Sequence, residues 1–327
     1  MGFELRESSG LGKTGVALAA LAAFTMALLS FLFHPVEITP LQYGICLPSP
    51  DSWDFAPLWS WIVNTLLIGL IALLLFLVNK SYNFVRTTEP VLVALFLLMA
   101  TSGPAYTEGI NASVILCLAN VVALGVIFDS YDSRNATREM FTLGILIGIG
   151  MMVQYAFFPM AFLFILWALF MKVLRIRETL AYIVGILCPY WIALGTGWLS
   201  FSEFHFPSLS PLFTEGQDPS EFFIMLIGIG LATVMGFLMA LVNSIKLYAG
   251  NSKVNAMNLC VTTLGATAIL CILFDFDNMH AYVTTLYLAA TVQVANVCAL
   301  WNPREPWLVT AIPGVCYIAL FVCSLLL

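Results

Sequence analysis

Charge is scarce in this sequence. Only 9% of its residues are Asp, Glu, Lys or Arg, where a soluble domain carries about 25%. That deficit excludes an ordinary solvated surface, and no soluble domain can be placed anywhere along the chain. CxxC is also missing, so the eight cysteines spell neither a zinc site nor a redox motif. HExxH is missing as well, which removes the usual helical zinc-hydrolase signature. No Asp, Glu, Lys, Arg or His falls near the middle of an apolar run, where proton relays and ion-coupled transporters keep one. No nucleic-acid partner and no cofactor are read from the chain.

What is present is apolar length. Hydrophobic residues make up 61% of the 327 positions, and runs of the length needed to cross a bilayer recur throughout. They predict an all-α, polytopic helical bundle forming one integral-membrane domain over 1–327. Eleven spans are expected: 14–34, 58–79, 90–106, 109–128, 139–155, 157–174, 179–198, 221–245, 255–274, 281–300 and 307–327. The third is short for a full crossing. The first is longer than a signal-peptide core and no small-x-small site closes it, so it reads as a transmembrane helix.

The basic residues orient the map. With the N-terminus cytoplasmic and the C-terminus outside, all twelve Lys and Arg fall inside, an outcome that a random split reaches roughly once in four thousand trials. The same rule divides the long apolar run 139–171. A hairpin near Gln154 and Pro159 keeps Lys172, Arg175 and Arg177 inside; one continuous helix would expel them.

The outer segments are then acidic. The longest are about 35–57 and 199–220, and both mix Pro, acids and Phe or Trp. Asp51, Trp53, Asp54, Phe204 and Phe206 are candidates for docking a membrane or periplasmic protein. Glu37, Asp51 and Asp54 are candidates for a general base, if the outer face does chemistry. His34, His205 and His280, with Asp277, form a weaker metal set. Asp275 and Asp277 also spell a DxD pair, but on the side away from cytoplasmic nucleotide sugars.

Inside the spans, Gly144 and Gly148 form a GxxxG, and Gly228 and Gly236 a similar face, both suited to close helix packing. LIGIG occurs at 146–150 and 226–230, in spans of opposite direction. The in-span amides Asn64, Asn120, Asn243, Asn258, Gln293 and Asn296 read as scattered, too dispersed to line a pore. The inner segments around Lys80 and Arg86 and around Arg134 and Arg138 are topology determinants that also suit acidic lipid headgroups.

Three landmarks carry a resemblance: RTTEPVLVALFLLMATSGP, FDSYDSRNATREMFTLGILIGIG and RIRETLAYIVGILCPYW. Their Arg86, Ser102, Pro104, Arg138, Glu139, Phe141, Gly144, Arg177, Glu178, Gly185 and Pro189 resemble a domain-of-unknown-function family of polytopic inner-membrane proteins from Bacteroidetes-type bacteria. The resemblance implies a bacterial inner-membrane location and the multi-pass topology, and no activity. Two functional expectations follow. One is a non-enzymatic subunit or scaffold of an envelope-biogenesis, secretion or export complex. The other is a lipid-linked (polyprenyl-phosphate) glycosyltransferase-like enzyme using outer-loop carboxylates. The outer face has no Lys or Arg to hold a phosphate, which favours the first.

Overall fold

The computed structural model describes residues 13–33, 43–85, 89–103, 106–205, 219–247, 252–275, 278–300 and 306–326. Among the described residues eleven α-helices follow one another: α1 Lys13–Phe33, α2 Pro57–Tyr82, α3 Glu89–Ala100, α4 Ala112–Asp129, α5 Thr137–Val153, α6 Phe158–Phe170, α7 Ile176–Gly195, α8 Pro219–Leu247, α9 Ser252–Phe274, α10 Met279–Leu300 and α11 Pro306–Leu326. Seven of them, α1, α2, α4, α7, α8, α9 and α10, are long and apolar enough to cross a membrane. Of the eleven expected spans, seven are therefore matched by helices of crossing length among the described residues. The twelve residues of α3 extend roughly 18 Å, and the thirteen of α6 roughly 20 Å. Both fall short of a hydrocarbon core of about 30 Å.

The break near Gln154 is present. Helix α5 stops at Val153, and Gln154 is extended at φ −151°, ψ 131°. A single 3-10 turn, Tyr155–Phe157, then feeds α6, with Pro159 in its first turn. Proline fits there because that N–H has no helical partner in any case. The chain reverses, since the Asp132 N–H ahead of α5 donates to the Met171 carbonyl after α6 at 3.0 Å.

Helix α10 occupies the centre, packed against α3, α4, α8, α9 and α11. Every residue from Ala281 to Cys298 is buried. It is the least apolar of the seven candidate spans. Lipid cannot satisfy a hydroxyl or an amide, so a helix carrying Thr284, Thr285, Thr291, Gln293 and Asn296 is stable only inside the protein. The apolar helices α1, α2, α7 and α8 take the periphery, each less than a third buried over its span.

Helices α5 and α7 run parallel and touch backbone to backbone. A Cβ added at Gly144 would overlap the Tyr182 carbonyl oxygen and come within 2.9 Å of the Gly185 Cα. One at Gly148 would lie 2.5 Å from the Ile186 oxygen and 3.1 Å from Cγ of Pro189. One at Gly185 would overlap the Phe141 carbonyl. The contact at α8 is looser. A Cβ at Gly236 would meet the Ala290 Cβ at 3.3 Å, and one at Gly228 the Tyr287 hydroxyl at 2.9 Å. The two LIGIG copies have different surroundings. Gly150 lies against the Phe157 ring, while Gly230 faces open space.

Hydrogen bonds gather the connections at two ends. One end joins Asp132 to Met171 and the Arg175 guanidinium to the Arg134 carbonyl at 2.9 Å, and pairs the Tyr131 and Ser252 hydroxyls at 3.0 Å. The other joins Ile110 to Ser60 at 2.8 Å and Gln154 to Asn278 at 3.2 Å. Arg134, Arg138, Arg175 and Arg177 lie at the first end, and the Lys253 ammonium sits 5.9 Å from the Tyr131 ring there.

Alanine at Gly144 or Gly185 has to push the two backbones apart. Each substitution is expected to lower the unfolding midpoint in detergent, by the equivalent of about 1–3 kcal/mol. Gly69→Ala serves as the control, since an added Cβ there meets nothing within 4 Å. Equal midpoints for all three variants would remove the seam from this role.

Candidate functional site

The segment between α1 and α2 is described from Tyr43 onward, and it performs two capping tasks. Its first half closes the C-terminal end of α5. The N–H groups of Ile45, Cys46 and Leu47 donate to the carbonyls of Met151 and Met152 at 2.8–3.2 Å. Those carbonyls belong to the last turn of a helix, where no helical donor remains. Gly44 permits the approach, because a Cβ there would overlap the Val153 backbone. His205 then donates its backbone N–H to the Ile45 carbonyl at 2.8 Å. Its ring lies 4.6 Å from the Tyr43 ring, and the Tyr155 hydroxyl donates to its carbonyl. Phe204 stacks on Tyr190 and Phe201 at 6.3 and 6.0 Å.

The second half serves the N-terminus of α4. Asp51 sits in the 3-10 turn Pro50–Ser52. It accepts the Ala112 N–H at 3.0 Å and the Ser49 hydroxyl at 3.1 Å. A carboxylate at that position satisfies a first-turn donor and meets the positive end of the helix dipole. Asn111 completes the cap by accepting the Val114 N–H at 2.9 Å. Of the docking candidates, Asp51 is thus held by its own chain. Trp53 and Asp54 are exposed, the former with its indole N–H donated to the Pro48 carbonyl at 3.1 Å. Trp61 is buried and ties α2 to α1 through the Ala27 carbonyl at 3.0 Å.

The metal candidates are not brought together by what is described. His205 stacks on Tyr43, while His280 lies 6.4 Å from the Tyr106 ring at the start of α10. His34, Glu37, Phe206 and Asp277 lie outside the described residues. Asp275 accepts the Asn278 side-chain N–H at 2.9 Å and the Tyr282 hydroxyl at 3.1 Å, so its carboxylate is tied to side chains at the start of α10. Among the described residues, no group of three or more His, Cys, Asp and Glu is placed to hold a metal.

The polar feature that sequence reasoning missed is on α10. All six in-span amides are buried, and four of them converge. Gln293 is the hub. Its oxygen accepts from Asn243 of α8 at 2.7 Å, and its nitrogen donates to Asn258 and Thr262 of α9 at 3.2 and 3.0 Å. Asn296 donates to the same Asn258 oxygen at 3.3 Å. Toward the opposite end, the Ser113 hydroxyl of α4 donates to the Thr284 hydroxyl at 2.7 Å and accepts the Thr284 backbone N–H at 3.0 Å. Asn120 reaches Thr285 at 3.3 Å. A signal was available: Asn258 and Thr262 are four apart, Gln293 and Asn296 three apart, so each pair shares one face of its helix. Chemically the cluster offers neutral donors and acceptors. It can hold helices together, but it carries no acid–base pair.

No protein-family model, curated protein or solved structure matches the chain. The fold and its polar interior define a multi-pass helical membrane protein.

Two outcomes test this account. Gln293→Leu removes the side-chain bonds to Asn243, Asn258 and Thr262 at once and should cost roughly 1–2 kcal/mol in detergent unfolding. Thr291→Val, which gives up a contact with the Met99 sulfur, should cost less. Equal losses would deny Gln293 its central place. Cys46 is buried, and burial raises its thiol above the ordinary value of 9.0, with the Glu203 charge adding to the effect. The thiolate is the reactive form. Peptide mapping should therefore show Cys46 alkylation reaching half its maximum at a pH above 9.0, the midpoint of an unperturbed thiol. A midpoint at or below 9.0 would contradict the buried placement.

Proposed function

We propose that the chain is a non-enzymatic multi-pass subunit or scaffold of an envelope-biogenesis, secretion or export complex in a bacterial inner membrane. Its N-terminus is cytoplasmic and its basic end faces the cytoplasm. The observation that carries the reading is the use of the polar groups. Buried amides and hydroxyls of α4, α8, α9 and α10 are joined to one another across helices, the Asp51 carboxylate is bonded to the start of α4, and that of Asp275 to side chains at the start of α10. Groups committed to holding helices suit a rigid framework. Chemistry or ion transfer needs groups left poised for a substrate. The grouping of Arg134, Arg138, Arg175, Arg177 and Lys253 at one end supports the orientation. The resemblance to the inner-membrane family of unknown function agrees with the location.

The glycosyltransferase-like alternative draws less support. Asp51 caps α4, which leaves Asp54 and Glu37 as its bases. The outer end offers no described Lys or Arg for a polyprenyl phosphate.

The docking surface of this reading is Trp53, Asp54 and Phe55, exposed together at the approach to α2. The protein is purified in mild detergent from native membranes at its natural expression level and analysed by mass spectrometry for proteins and lipids. A stoichiometric protein partner is expected. It should be lost from the Trp53→Ala, Asp54→Asn variant while insertion is unchanged. A solitary protein retaining a polyprenyl phosphate would overturn the reading in favour of the enzyme.

A further inference from the structure

The Arg138–Glu139 pair that opens α5 and the Arg177–Glu178 pair that opens α7 are 39 positions apart in sequence. The parallel packing of the two helices brings them to one level, with Gly144 against Tyr182 and Gly185. Between them is a groove lined by Arg138, Glu139, Phe141, Arg177, Leu180 and Val184. Both arginines are exposed.

The groove is graded along its length. Its mouth is charged. Its floor is apolar and runs down the flank of α7, where Leu180 and Val184 lie about 6 and 12 Å along the axis from Ile176. Those two residues are 57% and 55% exposed on a helix long and apolar enough to span a membrane, so lipid covers them. A soluble anion would have no use for that floor. An acidic peptide approaching from water would not reach it.

The charges narrow the ligand further. Two guanidiniums against the Glu139 carboxylate leave one net positive charge among the lining groups. The Glu139 carboxylate is half-buried in the wall of the groove, and an acceptor placed there calls for a donor on the ligand. The ligand that answers all three features carries one phosphate charge, a hydroxyl donor and an acyl chain.

We propose that this groove binds a mono-anionic, hydroxyl-bearing phospholipid of the phosphatidylglycerol type. Arg138 and Arg177 hold the phosphate, as guanidinium geometry favours. Glu139 accepts a headgroup hydroxyl. Phe141, Leu180 and Val184 take the first part of an acyl chain. The site rests on the membrane-spanning fold and is independent of the scaffold reading, since an enzyme or a scaffold could equally carry it.

The test uses the delipidated full-length protein in detergent, titrated with phosphatidylglycerol, phosphatidylethanolamine or glycerol 3-phosphate and read by native mass spectrometry. Phosphatidylglycerol is expected to bind roughly tenfold more tightly than phosphatidylethanolamine. Arg138→Gln with Arg177→Gln should erase that preference. Val184→Trp, which fills the apolar floor and leaves the arginines intact, should weaken phosphatidylglycerol and leave glycerol 3-phosphate unaffected. Equal binding of the two lipids by the unaltered protein would overturn the proposal, as would a preference that survives in the double variant. Glycerol 3-phosphate binding as tightly as the lipid would make the groove a soluble-phosphate site instead. Should the double variant not fold, the lipid comparison on the unaltered protein and the Val184→Trp result still decide.

Discussion

Hydrocarbon offers nothing to a hydrogen-bonding group, and the architecture follows from that constraint. Helix α10 carries hydroxyls and amides along its length, so it cannot lie at the periphery. Its neighbours meet it with polar groups of their own: Ser113 and Asn120 from α4, Asn243 from α8, Asn258 and Thr262 from α9. Apolar surface gives little preference for one helix neighbour over another inside a membrane, because lipid tails compete equally well. Specific hydrogen bonds to α10 supply that preference and fix which helices sit where.

The second determinant is closeness of backbone. Gly144, Gly148 and Gly185 let α5 and α7 approach until carbonyls lie where side chains would otherwise be. The connecting segments then answer the unsatisfied ends of the helices. The stretch after α1 supplies donors to the end of α5 and a carboxylate acceptor to the start of α4. Its acidity therefore has a local use. Asp51 closes a helix start, and a lysine there would face the positive end of the same dipole.

Much of the helix layout was legible in the sequence, because apolar runs and their punctuation are local signals. The turn at Gln154–Pro159 could be placed from the charges of Lys172, Arg175 and Arg177, since membrane sidedness links distant residues without any tertiary knowledge. Helix lengths were less legible. The expected span 90–106 is longer than α3, which ends at Ala100, where Thr101, Ser102 and Gly103 interrupt the apolar run. Convergence was the hardest feature. Asn243, Asn258 and Gln293 stand on three helices, and only packing reveals that they meet. Asp51 looked like an available base because its partner, the Ala112 N–H, is 61 residues away. The arginine groove was hidden for the same reason, since Arg138 and Arg177 become neighbours only through the glycine seam.

The central place of α10 has a consequence for how the protein is made. Helices α3, α4, α8 and α9 all leave the ribosome before it. Until α10 arrives, Asn120, Asn243 and Asn258 have no central helix to bond, and their amides confront lipid or one another. The earlier helices therefore reach the membrane without the partner that joins them, and α10 supplies the missing hydrogen bonds. A nascent chain stalled before residue 279 would carry unsatisfied amides within the bilayer, the kind of defect that membrane quality-control proteases are suited to detect.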